Sequence, residues 1–346
     1  MALPRNAHLW LPGLLADRWH RHAETTADTT VWLMFADHFE PYWRRPDDAT
    51  ALARVRAWQH AWPSIASAHR DDTGRPAQYT FFYAEEEYRS VLLAPLAELA
   101  RDGVADVEVH IHHDGEGEAD FVSRIGTFVR TLRDDHGLLH DVDGRPGFGF
   151  IHGNWALDNA HPSGKWCGLN HELTLLRALG CYADFTLPAA PDPCQTRRVN
   201  AIYWAVDDPA APKSHDDGVL LVPGELPPPE ALLMVQGPLT VTFPRHRGFR
   251  PTLEVGELAG HAPITPDRVR AWLDVAPRVG QDLFLKLHTH GAPEKNAGPL
   301  LSRDLDATLT GIRAECTRRG WGLRFATAWD VHQRLMALVA AEPAGR

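Results

Sequence analysis

Short β-rich apolar runs alternate with helical stretches along most of this chain, and that alternation constrains its fold more than any other feature. Residues 30–35, 78–83, 107–112, 147–152, 183–187, 199–206, 239–243, 282–287 and 322–327 read as strands. Residues 49–68, 88–101, 119–135, 168–179, 265–275, 302–319 and 328–341 read as helices. Phe121, Ile125, Phe128, Val129 and Leu132 recur at helical spacing. Gly180 is a stop signal, Thr265-Pro266 a start signal and Ser302 a candidate cap. Strand–helix alternation of this kind argues for an α/β fold with a parallel sheet. Neither a glycine-rich dinucleotide turn nor a phosphate-binding loop is present, so a single-domain (β/α)7–8 barrel with long loop excursions is favoured over a Rossmann sheet. Residues 1–29 read as an N-terminal extension and 30–340 as the barrel domain.

The 346 residues carry 35 basic and 45 acidic side chains, a formal net charge of −10. Such a chain lacks the basic field that supplies most nucleic-acid affinity. No apolar run approaches the ~18 residues of a membrane span. Cys167, Cys181, Cys194 and Cys316 include no C-x-x-C pair and fit a reducing compartment. The start of the chain, with Arg5, Pro12 and His8 interrupting its apolar residues, reads as mature chain, and a cytoplasmic location is expected.

Histidine stands out, at 20 against Met 4 and Tyr 6. In a parallel barrel, functional side chains sit where strands end. Four predicted strand ends carry histidine: Asp37-His38-Phe39-Glu40, His110-Ile111-His112-His113, His152-Gly153-Asn154-Trp155, and His288-Thr289-His290. A period of two puts His110 and His112 on one face, with His113 at the strand end. Neutral imidazoles plus a carboxylate such as Asp37 make a ligand set for zinc or another divalent ion. Trp43, Trp155, Trp166 and Trp204 fall at or after strand ends, where their faces can stack on sugar rings. His20, His22, His60, His69, His136 and His140 lie in polar or helical surroundings and read as solvated. The Pro/Gly/Asp-rich stretch 207–229 is assigned no role.

The order of these motifs resembles the polysaccharide deacetylases, metal-dependent carbohydrate esterases built on a distorted seven-stranded (β/α) barrel. The resemblance spans roughly residues 30 to 330 at motif level. It implies that Asp37-His38 stands where the family has two acidic residues, a base and a metal ligand. Glu108-Val109-His110-Ile111-His112 aligns with the family's H-E-[IL]-G-x-H strand, with His112 at its first metal position. Glu116 stands where the second ligand histidine is found, so His110 or His113 takes that place. His152-Gly153-Asn154-Trp155 replaces the family's R-x-P-x-G motif, and His288 or His290 corresponds to its general acid. The stretches 166–172 and 180–188 resemble its helix-to-strand segment.

The chemistry so implied is metal-dependent hydrolysis that removes an acetyl group from an N-acetylated sugar or related amide. Asp37, His38, His110, His112 and His113 are the candidate ligands, for zinc, nickel, cobalt or manganese. Asp37, His288 and His290 are the candidate acid/base groups, and Glu40, His152, Asn154 and Trp155 the substrate contacts. If His38 takes the ligand place, Asp37 is free as base. The expected partner is a small molecule or oligosaccharide, with no nucleic acid and no membrane. Two other readings stay open: a glycosidase with a carboxylate pair drawn from Glu40, Asp158 and Asp184, and a barrel that binds a glycan without turnover.

Overall fold

The computed structural model describes residues 4–21, 28–244 and 248–341. His22 lies outside them, as does the side chain of His20. Helix α1 (Ala7–Arg21) precedes the first strand. Trp10 and Leu14 of this helix pack with Ala190, Val199 and Leu239, which ties residues of the expected extension to the domain.

The chain then alternates as expected. Strand β1 (Thr30–Phe39) leads to α2 (Asp48–Ala68), β2 (Tyr79–Ala84) to α3 (Ser90–Arg101), and β3 (Ala105–Ile111) to α4 (Glu118–Arg130). A hairpin of β4 (His140–Val142) and β5 (Arg145–His152) precedes α5 (Glu172–Leu179) and β6 (Cys181–Asp184). Five short strands follow: β7 (Ile202–Ala205), β8 (Val219–Leu220), β9 (Leu232–Val235), β10 (Thr240–Thr242) and β11 (Thr252–Glu254). After β12 (Glu257–Leu258) come α6 (Pro266–Val275), β13 (Arg278–Val279) and β14 (Asp282–Thr289). The chain closes with α7 (Glu294–Pro299), α8 (Leu305–Arg319), β15 (Gly322–Phe325) and α9 (Ala328–Val339).

These elements form one mixed α/β domain around a large, mostly parallel sheet. Its order is β12-β14-β1-β2-β3-β5-β6-β9-β7-β8, with β15 beside β1, β13 beside β14 and β4 beside β5. Strand β1 is parallel to β14, β15 and β2, and parallel pairing continues through β3, β5, β6 and β9. Strand β7 runs antiparallel to β9. No helix among the described residues is long and apolar enough to cross a membrane.

The structure departs from the sequence reading at the helix starts expected at residues 302 and 168. Ser302 does not cap a helix: it lies in a π-helical turn (Leu300–Asp304) that joins α7 to α8, and its hydroxyl donates to the Gly298 carbonyl. The helix expected from residue 168 begins at Glu172, because Gly168 sits at φ 98°, in the left-handed region that favours glycine.

Side-chain parity sorts the strands into two faces. Val31, Leu33, Phe35 and Phe39 of β1 join Val107, Val109 and Ile111 of β3, Phe148 and Phe150 of β5, and Leu283, Leu285 and Leu287 of β14 in one core. Trp58 and Trp62 of α2 and the apolar faces of α3, α4 and α5 pack on it. The opposite face carries Met34, Ala36, Phe82, Ile151 and Phe284, packed with Ala183, Leu233 and residues of α9. That face also holds polar groups. Glu108 accepts from the Gly149 N–H (2.6 Å) and the Tyr182 hydroxyl. Lys286 donates to the carbonyls of Phe185 and Leu187 (2.6 Å for Leu187).

Candidate metal-binding site

The residues singled out at strand ends all lie at the carboxyl end of the parallel sheet, where ligands bind in such folds. Parity then decides which of them meet. His38 and Glu40 lie on the Met34 and Ala36 side of β1, His110 and His112 on the Glu108 side of β3, and His288 and His290 on the Lys286 side of β14. His38 packs against His110, His288 and His290, with ring centroids 5.2, 6.3 and 4.7 Å apart. His110 and His112 lie 4.7 Å apart.

Three atoms converge at the centre of this group. Glu40 Oε1 is 3.5 Å from His110 Nε2 and 3.9 Å from His112 Nε2. His110 Nδ1 donates to the Ile151 carbonyl (2.8 Å), which leaves Nε2 as a lone pair. That Nε2 is buried and has no hydrogen-bond partner. His112 Nδ1 meets Glu86 Oε1 at 2.5 Å, and Glu86 also accepts the His112 N–H (3.2 Å). Each imidazole is thus held by its Nδ1 with its Nε2 turned to the same carboxylate, the way metal-ligating histidines are oriented. Two imidazole nitrogens and a carboxylate oxygen within 4.8 Å of one another fit a divalent cation such as zinc.

The electrostatics agree with that fit. Burial opposes ionisation of Glu40, yet His110, His290 and His112 hold its pKa below the usual carboxylate value. Burial, reinforced by neighbouring imidazoles, pushes His38 well down. Burial also lowers His290, against the opposing pull of Glu40 and Glu257. Burial and Lys286 push His288 down to about 3. Burial pulls on His112 too, but Glu86 and Glu40 raise it. Glu40 is therefore held ionised within this histidine cluster, with His112 at its half-exposed rim.

A wall of aromatic rings adjoins the pocket. Trp155 lies 6.5 Å from His38 and 6.4 Å from His290, and Trp43 lies 6.4 Å from His290. Asn154 and Trp155 follow β5 at φ 53° and 56°, a left-handed pair that turns the chain over the site. Gly153 is required just before them: a Cβ there would come within 2.3 Å of His112 Cδ2.

Asp37 is placed elsewhere, contrary to its reading as base and ligand. It shares the parity of Phe35 and Phe39 and faces α2. Its Oδ1 accepts from the Gly291 N–H (2.6 Å) and its Oδ2 from the Tyr79 hydroxyl (2.9 Å). Burial raises its pKa to about 8. Asp37 is a positioning residue that fixes the chain just after His290.

His113 and His152 also point away from this group, because their parity is that of Ile111 and Phe150. They meet Glu172 instead, His113 Nε2 at 3.1 Å and His152 Nε2 at 3.4 Å from Oε1. His152, expected as a substrate contact, is accordingly turned away from the Glu40 group. Asp158 and Asp184, the other carboxylates of a glycosidase pair, are engaged outside the pocket. Asp158 Oδ2 accepts from the Ser214 N–H (2.7 Å), and Asp184 accepts from the Thr186 N–H and hydroxyl (3.0 and 2.7 Å). Of the histidines read as solvated, His136 is buried against Tyr88 and His140 stacks on Trp329. The sequence reading missed Glu86, although Glu85-Glu86-Glu87 directly after a strand was a visible signal.

No family model matches the chain, and a search of curated proteins returned no match.

Proposed function

We propose that this protein is a metal-dependent hydrolase that removes an acetyl group from an N-acetylated sugar or a related amide. The convergence of Glu40 Oε1, His110 Nε2 and His112 Nε2 carries this reading. A divalent cation held there supplies Lewis acidity and lowers the pKa of water toward neutrality. His290, kept neutral by burial, takes a proton from the attacking water. A bond forms between water oxygen and the acyl carbon, the carbon–nitrogen bond breaks, and the proton passes from His290 to the leaving amine. Acetate and the free amine are the products. Asp37 holds Gly291, and so the position of His290. Trp43 and Trp155 offer faces for a sugar ring.

The distorted (β/α) barrel of the polysaccharide deacetylases is the architecture we propose with this activity. It is supported by contacts between the two arms of the sheet. Lys286 of β14 reaches carbonyls just after β6, and a Cβ on Gly237, beyond β9, would lie 2.8 Å from the Lys286 carbonyl oxygen.

The test is acetate release from a panel of N-acetylated sugars by chelator-stripped protein reloaded with zinc, nickel, cobalt or manganese. Activity that returns with at least one ion is expected. Hydrolysis unaffected by the chelator, or none with any ion, overturns the proposal.

A further inference from the structure

Behind His112 lies a second convergence, on the opposite face of β3 and β5. His113 follows β3, His152 ends β5, Cys167 sits in the loop before α5, and Glu172 opens α5. All four are buried, and one ligand atom from each falls within 4.8 Å of the others. His113 Nε2 and His152 Nε2 are 2.9 Å apart. Both face Glu172 Oε1, at 3.1 and 3.4 Å. Cys167 Sγ lies 3.3 Å from Glu172 Oε2.

Proton counting shows what is missing. His152 Nδ1 donates to the Gly153 carbonyl (2.5 Å), so its Nε2 is a bare lone pair. Glu172 Oε1 is also an acceptor. A proton on His113 Nε2 must therefore serve two adjacent acceptors, and placing it there leaves His113 Nδ1 buried without a partner. Leaving such a group buried and unpaired is destabilising. The sulfur belongs to the same network: Cys167 Sγ receives the N–H groups of Asn159 (3.2 Å) and Leu169 (3.4 Å), and its S–H donates to Glu172 Oε2 (3.3 Å), a proton that metal binding would release. Glu172 Oε2 receives the Asp158 N–H (2.6 Å). These backbone donors orient the ligands from outside, as outer contacts do around metals.

We propose that His113 Nε2, His152 Nε2, Cys167 Sγ and the Glu172 carboxylate form a closed, four-ligand site for a zinc-class divalent cation, distinct from the Glu40 site. Nitrogen, sulfur and oxygen donors in that number match structural zinc, which leaves no open position for substrate. The ion ties the ends of β3 and β5 to the loop before α5. His112 and Gly153 are direct chain neighbours of two ligands, so the same ion steadies the wall of the first site. The inference stands whether or not the Glu40 site is catalytic.

Cobalt(II) substitution tests it. Wild-type protein loaded with cobalt is expected to show a near-ultraviolet thiolate-to-cobalt charge-transfer band. His112→Ala, which disables the first site, is expected to keep that band. Cys167→Ser is expected to lose it, along with about one equivalent of metal per chain. Cobalt bound by the wild-type protein without a thiolate band overturns the proposal even if Cys167→Ser fails to fold. A folded Cys167→Ser protein with an undiminished metal count overturns it as well. Failure of the first site alone reads differently, as a thiolate band without metal-dependent hydrolysis.

Discussion

Gly153 touches His112 so closely that the smallest side chain at position 153 would lie 2.3 Å from the imidazole Cδ2 and 2.7 Å from the Ile111 carbonyl oxygen. Neither neighbour is free to retreat, because Glu86 holds the ring and the carbonyl belongs to β3. Gly153→Ala is therefore expected to displace His112 and weaken metal binding at the Glu40 site by roughly 10–100-fold. Metal titration of the variant, with circular dichroism to confirm the fold, checks this. Unchanged affinity would show that His112 is not a ligand.

Glu86 acts on the metal through His112. Removing its charge with Glu86→Gln keeps an acceptor for Nδ1–H but makes the imidazole a poorer ligand. Metal affinity is expected to fall by about tenfold or more. Thermal stability should change little, since the side chain lies half-exposed at the rim.

Asp37 separates a positioning role from a catalytic one. Asp37→Ala leaves the Gly291 N–H without its acceptor and is expected to cost about 1–3 kcal/mol of stability. Asp37→Asn keeps an oxygen for Gly291 and can donate to the Tyr79 oxygen. That variant is expected to keep its metal and most of its hydrolytic activity, measured as acetate release. A loss of several orders of magnitude with metal still bound would make Asp37 the base.

The same carboxyl gives a pH dependence with a definite sign. Its native pKa, pushed by burial to about 8 from 3.8, means that the folded state holds a proton the unfolded chain releases. The stability it contributes is fully present below pH 3.8 and is lost as pH rises through about 8. Thermal midpoints of wild type and Asp37→Asn across that window are expected to diverge, with the wild type declining more steeply toward alkaline pH.

How much of this was legible in the sequence depended on range. The period-two rule put His110 and His112 on one face, and they share it. The same rule, applied to Phe35-Ala36-Asp37-His38, already separates Asp37 from His38, and applied to Phe148, Phe150 and His152 it sends His152 to the helix-packed side. Local pattern could not supply the partners that come from distant segments. Glu86 reaches His112 across 26 positions and Glu172 reaches His113 across 59, distances that only the strand order brings together. Strand β9 (Leu232–Val235) was also missed, a four-residue run that is apolar throughout and carries no alternation to read.

Trp155 bears on the substrate. Its ring is part of the pocket wall but is no ligand, so Trp155→Ala is expected to raise KM for an N-acetylated sugar by up to about tenfold, with kcat changed less. Equal values for both parameters in wild type and variant would remove the stacking contact from the account.

The central claim is that Glu40, His110 and His112 hold a divalent ion. Elemental analysis of wild type and His112→Ala, both purified without chelator or histidine tag, tests it most directly. The account predicts that the variant loses about one equivalent of metal per chain and retains the ion held by His113, His152, Cys167 and Glu172. An identical metal count in the two proteins would contradict it.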